Sequence, residues 1–153
     1  MSTLLKDLAP GFRQKIEVLL GMMVTRGIPV IVTQTLRTEL EQLALWAQGR
    51  AQLETVQALR TAAGMRLLEP RENTYTVTNC DGIVKRSAHQ SGEAVDIVPR
   101  VPAGESSWNY AKLQAQYRAI VEEAHLLGLN SGADWPPIDA RTGLGKDPPH
   151  HEL

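Results

Sequence analysis

Apolar residues recur at helical spacing in several stretches of the chain. The first stretch carries an apolar stripe made of Phe12, Ile16, Leu19, Leu20 and Met23. Because residues three and four apart lie on one helical face, this stripe predicts an amphipathic helix over 10–26, with Gly27 as a stop. The same spacing predicts two helices over 39–48 and 52–62 and a long helix over 108–127.

Shorter runs rich in β-branched residues lie between these helices. They predict strands over 28–34, 75–78 and 93–99, since such side chains pack well on a pleated surface. The first of these runs is almost continuously apolar, which is typical of a buried strand. Helices and strands in this order predict an α+β fold.

In the third strand, Asp96 lies within the apolar run 94–98. Successive strand residues point to opposite faces, so Asp96 is expected to face away from Val95 and Ile97, which point into a core. His89 precedes Asp96 by seven residues, a spacing that favours a loop followed by a strand over one helical face. Gly92 allows the tight turn between them.

A second polar cluster lies near the end of the chain. Pro148 and Pro149 favour an extended approach to His150. His151 points the opposite way on an extended segment, and we interpret it as a neighbour of the site and not as a ligand. Asp147 precedes His150 by three residues, which puts a carboxylate near the histidine without making it a ligand.

These two clusters together supply two imidazoles and one carboxylate. His89, Asp96 and His150 match the ligand set of an open catalytic zinc site, where the fourth position holds water. Asp147 is then the candidate general base, which takes a proton from that water and later gives it to a leaving amine. The sequence therefore predicts a zinc peptidase.

The same residues form motifs that resemble a known superfamily. The pattern S-x-H-x-x-G-x-A-x-D is matched by Ser87, His89, Gly92, Ala94 and Asp96, and D-x-x-H follows at 147–150. Thr35-Leu36-Arg37, Gln42, Trp46-Ala47-Gln48-Gly49-Arg50 and Gly132-Ala133-Asp134-Trp135 resemble further motifs in the same order. Over residues 30–153 the chain resembles the D-alanyl-D-alanine carboxypeptidase and endolysin peptidase superfamily. The likeness is closest to the phage L-alanyl-D-glutamate endopeptidases.

This resemblance implies a hedgehog or DD-peptidase-like fold, with a small antiparallel sheet flanked by helices. It implies that Arg37 polarises the scissile carbonyl, although a structural ion pair is the alternative for this residue. It also implies that Ser87 forms hydrogen bonds to substrate or loop, and that Trp135 stacks on substrate or closes the core.

The resemblance implies that the substrate is the stem peptide of bacterial peptidoglycan. D-x-x-H in place of E-x-W-H favours an L-alanyl-D-glutamate endopeptidase, as in phage or prophage endolysins that cause cytolysis. Two alternatives stay open: a D,D- or L,D-carboxypeptidase of the same superfamily, and a zinc-containing phage structural module without turnover.

Length and composition set the remaining expectations. The 153 residues are expected to form a single zinc peptidase domain, with an N-terminal helix in 1–27 and the catalytic core in 28–153. A net charge of −1 gives no basic stripe and argues against a nucleic-acid partner.

The chain has no run of about 18 apolar residues that would span a membrane, and its start lacks the pattern of a signal peptide. We therefore expect a cytoplasmic protein that reaches the wall after release, through a holin-type pore. The alternative is a virion-associated protein.

Overall fold

A computed structural model describes all 153 residues. The chain forms four α-helices and four β-strands. In chain order they are α1 (Pro10–Thr25), β1 (Val30–Gln34), α2 (Glu39–Ala47), α3 (Leu53–Ala62), β2 (Ala94–Pro99), α4 (Gln114–Leu126), β3 (Asn130–Ser131) and β4 (His150–Glu152). No helix is both long enough and apolar enough to cross a membrane.

The four strands form one antiparallel sheet in the order β1-β2-β4-β3. The predicted α+β class with a small antiparallel sheet and flanking helices is confirmed. β4 is only three residues long, yet it occupies an interior position in the sheet and places His150 directly opposite Asp96. Residues directly opposite each other in a sheet share a face, so the pairing brings these two side chains together.

The main core lies between one face of the sheet and the helices α1 and α4. Its fully buried members include Phe12, Ile16, Leu19, Met23, Val95, Ile97, Ile120 and Ala124. Removing each large side chain of this kind from water stabilises the fold by about 1.5–3 kcal/mol. Val95 and Ile97 thus pack into the core as their alternation predicted, and Asp96 faces the other side of the sheet.

Two predicted elements are wrong or too long. Residues 75–78 do not form a strand, because no other strand lies beside them and Tyr75 and Val77 are exposed. The helix predicted over 108–127 begins only at Gln114. Residues 108–113 form turns, in which the Asn109 side chain accepts a hydrogen bond from the Lys112 backbone N–H.

Candidate metal centre

His89 lies in a short helical turn that fixes the direction of its ring. Ser87 caps this turn: its hydroxyl accepts a hydrogen bond from the His89 backbone N–H, and its own N–H donates to the Gln90 side chain at 2.9 Å. The ring Nδ1 donates to the carbonyl oxygen of Thr35 at 2.7 Å. Nδ1 therefore carries the proton, and the Nε2 lone pair points away from Thr35.

The Nε2 atom of His89 is buried and has no hydrogen-bond partner. It lies 3.3 Å from Oδ1 of Asp96. A buried imidazole nitrogen without a partner is costly, and a metal ion would satisfy it. Gly92 supports this placement: its φ of 72° suits glycine, and a Cβ there would press on the backbone of Asp7.

His150 reaches the same carboxylate from β4. Its Nδ1 lies 3.2 Å from Asp96 Oδ1, and its Nε2 lies 3.0 Å from Oε2 of Glu152. Burial lowers the pKa of His150, but the hydrogen bonds to Asp96 and Glu152 outweigh burial and raise that pKa to about 9. Burial disfavours the charged form of Asp96 as well, yet the two neighbouring imidazoles hold its pKa well below the usual range.

One potential ligand atom from each of His89, Asp96 and His150 lies within 4.8 Å of the others. Two imidazole nitrogens and a carboxylate oxygen are ligands that suit zinc. His151 is not in this group. It pairs with Val95, faces the core side of the sheet and is fully buried, so its ring points away from the other three.

Arg37 is attached to the same site through its backbone and its side chain. A β-bulge between Val32 and Gln34 shifts the register of β1 against β2, and β1 ends at Gln34. Arg37 follows three residues later, and its backbone N–H donates to the His89 carbonyl at 3.0 Å. Its Nη1 donates to Oε1 of Gln42 at 2.6 Å.

The guanidinium of Arg37 is almost completely buried, and no carboxylate lies within 4.0 Å of it. Arg37 therefore forms no ion pair, and the structural alternative for this residue is not supported. Burial lowers the pKa of Arg37, while the charges of Asp96, Glu41 and Asp147 oppose that fall. Arginine nevertheless stays protonated, so an unneutralised positive charge faces the site.

Asp147 begins the tight turn that leads into β4. Its backbone N–H donates to the Gly132 carbonyl at 3.0 Å, and its own carbonyl accepts from the His150 N–H at 3.1 Å. Burial raises the pKa of Asp147, and the negative charge of Asp96 adds to the rise, while His150, His89 and Arg37 oppose it. The Trp135 ring lies beside the site, with its centroid 5.0 Å from that of His150.

Two further residues support the ligands and Arg37. Gln42 is completely buried and bridges Arg37 to the carbonyl of Cys80, to which its Nε2 donates at 2.5 Å. Glu152 lies two residues after His150 on the same strand, and strand alternation alone places the two side chains on one face. That spacing was the available signal for Glu152, which had no role in the sequence interpretation, whereas Gln42 already belonged to the motif that follows Arg37.

The chain was also compared with known proteins. No family model matches it, and no curated protein matches its sequence. Among solved structures it resembles the L-Ala D-Glu endopeptidase ChiX of Serratia marcescens, with a TM-score of 0.52 and 23% identity over 97% of this chain and 82% of that one.

It also resembles a VanY D,D-pentapeptidase variant from a VanB-type resistance cassette in complex with Zn(II). The TM-score is 0.51, with 20% identity over 95% of this chain and 72% of that one. VanYB in complex with D-alanine-D-alanine matches with the same score and identity over 95% and 71%. The chain shares the fold of these peptidases. The predicted DD-peptidase-like fold is confirmed.

Proposed function

We propose that this protein is a zinc-dependent peptidase that cuts the stem peptide of bacterial peptidoglycan. The observation that carries the proposal is the convergence of His89, Asp96 and His150 beside a buried, unpaired arginine and a carboxylate of raised pKa. Two proteins that share the fold support it: ChiX is named an L-Ala D-Glu endopeptidase, and VanY is named a D,D-pentapeptidase and is in complex with Zn(II).

His89, Asp96 and His150 would hold the zinc ion through one ring nitrogen of each histidine and a carboxylate oxygen. Bound zinc supplies a Lewis acid and lowers the pKa of a coordinated water from 15.7 to about 7. The protein contributes a fixed orientation for His89, since the carbonyl oxygen of Thr35 accepts the N–H of the ring nitrogen that does not bind the ion.

Asp147 would move the protons of the reaction. The carboxylate accepts a proton from the attacking water while the oxygen of that water bonds to the scissile carbonyl carbon. It then donates that proton to the amine nitrogen as the C–N bond breaks. Burial and the charge of Asp96 raise its pKa and bring it nearer to the working pH, which makes the carboxylate a better base.

Arg37 would stabilise the oxyanion that forms when the carbonyl is attacked. Its guanidinium is buried and fixed by Gln42, so no reorganisation is needed as negative charge develops. Trp135 and Ser87 border the ligands, and their proposed contacts with substrate stay predictions from the sequence resemblance.

Our first choice for the scissile bond is the one between L-alanine and D-glutamate. The D-x-x-H motif of Asp147 and His150 supports it, and so does the likeness to ChiX. The second candidate is a D,D-carboxypeptidase, which is supported by the likeness to VanYB in complex with D-alanine-D-alanine. Use of the enzyme by a phage for host lysis stays a prediction from the sequence.

Mass spectrometry of fragments released from purified peptidoglycan tests this proposal. A new free amino group on D-glutamate is the expected product, and release of terminal D-alanine would select the second candidate. Asp147→Ala should keep zinc bound and abolish release, because it removes the base and no ligand.

Asp134→Ala is the matched control, since Asp134 is an exposed aspartate that pairs only with His125. It should cleave as the unchanged protein does. No release from several wall types by the zinc-loaded protein would overturn the peptidase proposal and leave a structural module. Full activity of Asp147→Ala would remove Asp147 from the mechanism.

A further inference from the structure

Glu152 contacts one of the proposed metal ligands from the side opposite the site. Its Oε2 lies 3.0 Å from Nε2 of His150, while Nδ1 of the same ring lies 3.2 Å from Asp96. The His150 side chain is 8% exposed and the Glu152 side chain 28%, so the hydrogen bond is partly shielded from water. Glu152 has no cationic partner among the lysines and arginines.

A neutral imidazole carries one proton, and its position decides which nitrogen binds a metal ion. With the proton on Nε2 and directed at Glu152, the Nδ1 lone pair of His150 points at Asp96. With the proton on Nδ1, the ring would present an N–H to the place where the ion must sit. The hydrogen-bond partner of the second nitrogen therefore selects the liganding tautomer.

We propose that Glu152 is a positioning residue that fixes the Nε2–H tautomer of His150 and so makes Nδ1 the metal ligand. The inference rests on the proposed zinc site. It makes the site asymmetric, because a backbone carbonyl orients His89 and an ionised side chain orients His150. Only the second of these can be removed by substitution.

Zinc affinity, measured by competition with a chelating dye, tests the proposal without any need for turnover. Glu152→Ala should weaken zinc binding by about 10–100-fold, the usual cost of losing such a partner. Glu152→Gln keeps an acceptor oxygen without the charge, and it should lose less affinity. Glu93→Ala is the control: Glu93 is an exposed glutamate just before β2 that contacts Ser91 and no histidine.

Nitrogen-15 NMR of histidine-labelled, zinc-loaded protein gives a second readout. His150 should show a protonated Nε2 and a zinc-bound Nδ1 in the unchanged protein and in Glu93→Ala. In Glu152→Ala the Nε2 proton should exchange faster and its signal should shift, since its acceptor is lost. A merely structural role would leave these signals unchanged.

The outcomes separate this inference from the proposed function. Unchanged protein that binds no zinc would overturn the proposed metal site itself. In a second outcome, the unchanged protein binds zinc, and Glu152→Ala has the same zinc affinity and the same NMR signals. That outcome would overturn only the role of Glu152. If Glu152→Ala does not fold in a circular-dichroism melt, Glu152→Gln decides the question, and an unchanged zinc affinity there overturns the proposal.

Discussion

The guanidinium of Arg37 is held by an amide and not by a carboxylate, a detail that supports its proposed catalytic role. A carboxylate partner would neutralise its charge, whereas the neutral Gln42 side chain fixes its orientation and leaves the charge available. We expect Arg37→Lys to lower kcat by about 10²–10³-fold, because lysine offers a single donor point in place of a planar fork. Steady-state cleavage of a stem-peptide substrate measures this, with zinc content determined on the same sample.

Arg60→Lys is the control for that change. Arg60 is another buried arginine, but it lies on α3 and donates to the Arg66 carbonyl, away from the three ligands. Activity per folded molecule should stay unchanged in Arg60→Lys, and zinc content should stay unchanged in both variants. Full turnover of Arg37→Lys would show that the guanidinium is not needed for the chemistry.

The turn after β3 is the element that positions Asp147. Gly132 lies against the Asp147 backbone, and a Cβ at Gly132 would collide with the Asp147 carbonyl oxygen. We expect Gly132→Ala to displace Asp147 and the approach to His150, with at least a tenfold loss of turnover and weaker zinc binding, since displacements of about 1 Å cost about 10²-fold in rate. Cleavage assays and zinc titration of the same preparation measure both effects.

Gly21→Ala makes the same chemical change where there is room for it. Gly21 lies in α1, and no atom lies within 4 Å of the place that an added methyl group would take, so alanine should stabilise the helix by about 0.5–1 kcal/mol. Urea unfolding measures that gain, and activity should stay as it was. Equal activity of Gly132→Ala and Gly21→Ala would mean that the turn does not set the position of Asp147.

At the level of elements, the spacing of apolar residues predicted the helices and strands that pack on the main core. It gave the bounds of α1 and of β2 to within one residue each, because α1 and the Val95 and Ile97 face of β2 pack on the same core. The pattern failed at 75–78, because these residues favour a strand but no other strand lies beside them to pair with. It could not indicate β4, because three residues carry no period and the strand exists through pairing with β2.

The site as a whole depends on contacts that are distant in sequence. Motif spacing suggested the three ligands, and the Asp96 and His150 side chains that meet in the sheet are 54 residues apart. The sequence does not reveal which groups orient the ligands, since the Thr35 carbonyl that His89 contacts lies 54 residues away along the chain. Chain topology, and not local composition, assembles these supporting contacts.

We expect that dependence to make bound zinc a stabiliser of the whole molecule. The ligands come from the turn before β2, from β2 and from β4, so unfolding separates them and releases the ion. At a free zinc concentration 100 times Kd, binding should add about 2.7 kcal/mol to the free energy of unfolding. For a chain of this length that gain corresponds to a rise in Tm of about 5–10 °C, and a chelator should reverse it. Calorimetry with added zinc and with chelator measures the shift.

His89→Ala, which lacks one ligand, is the control and should melt at the same temperature under both conditions. An equal rise in Tm in His89→Ala and in the unchanged protein would place the stabilising ion elsewhere.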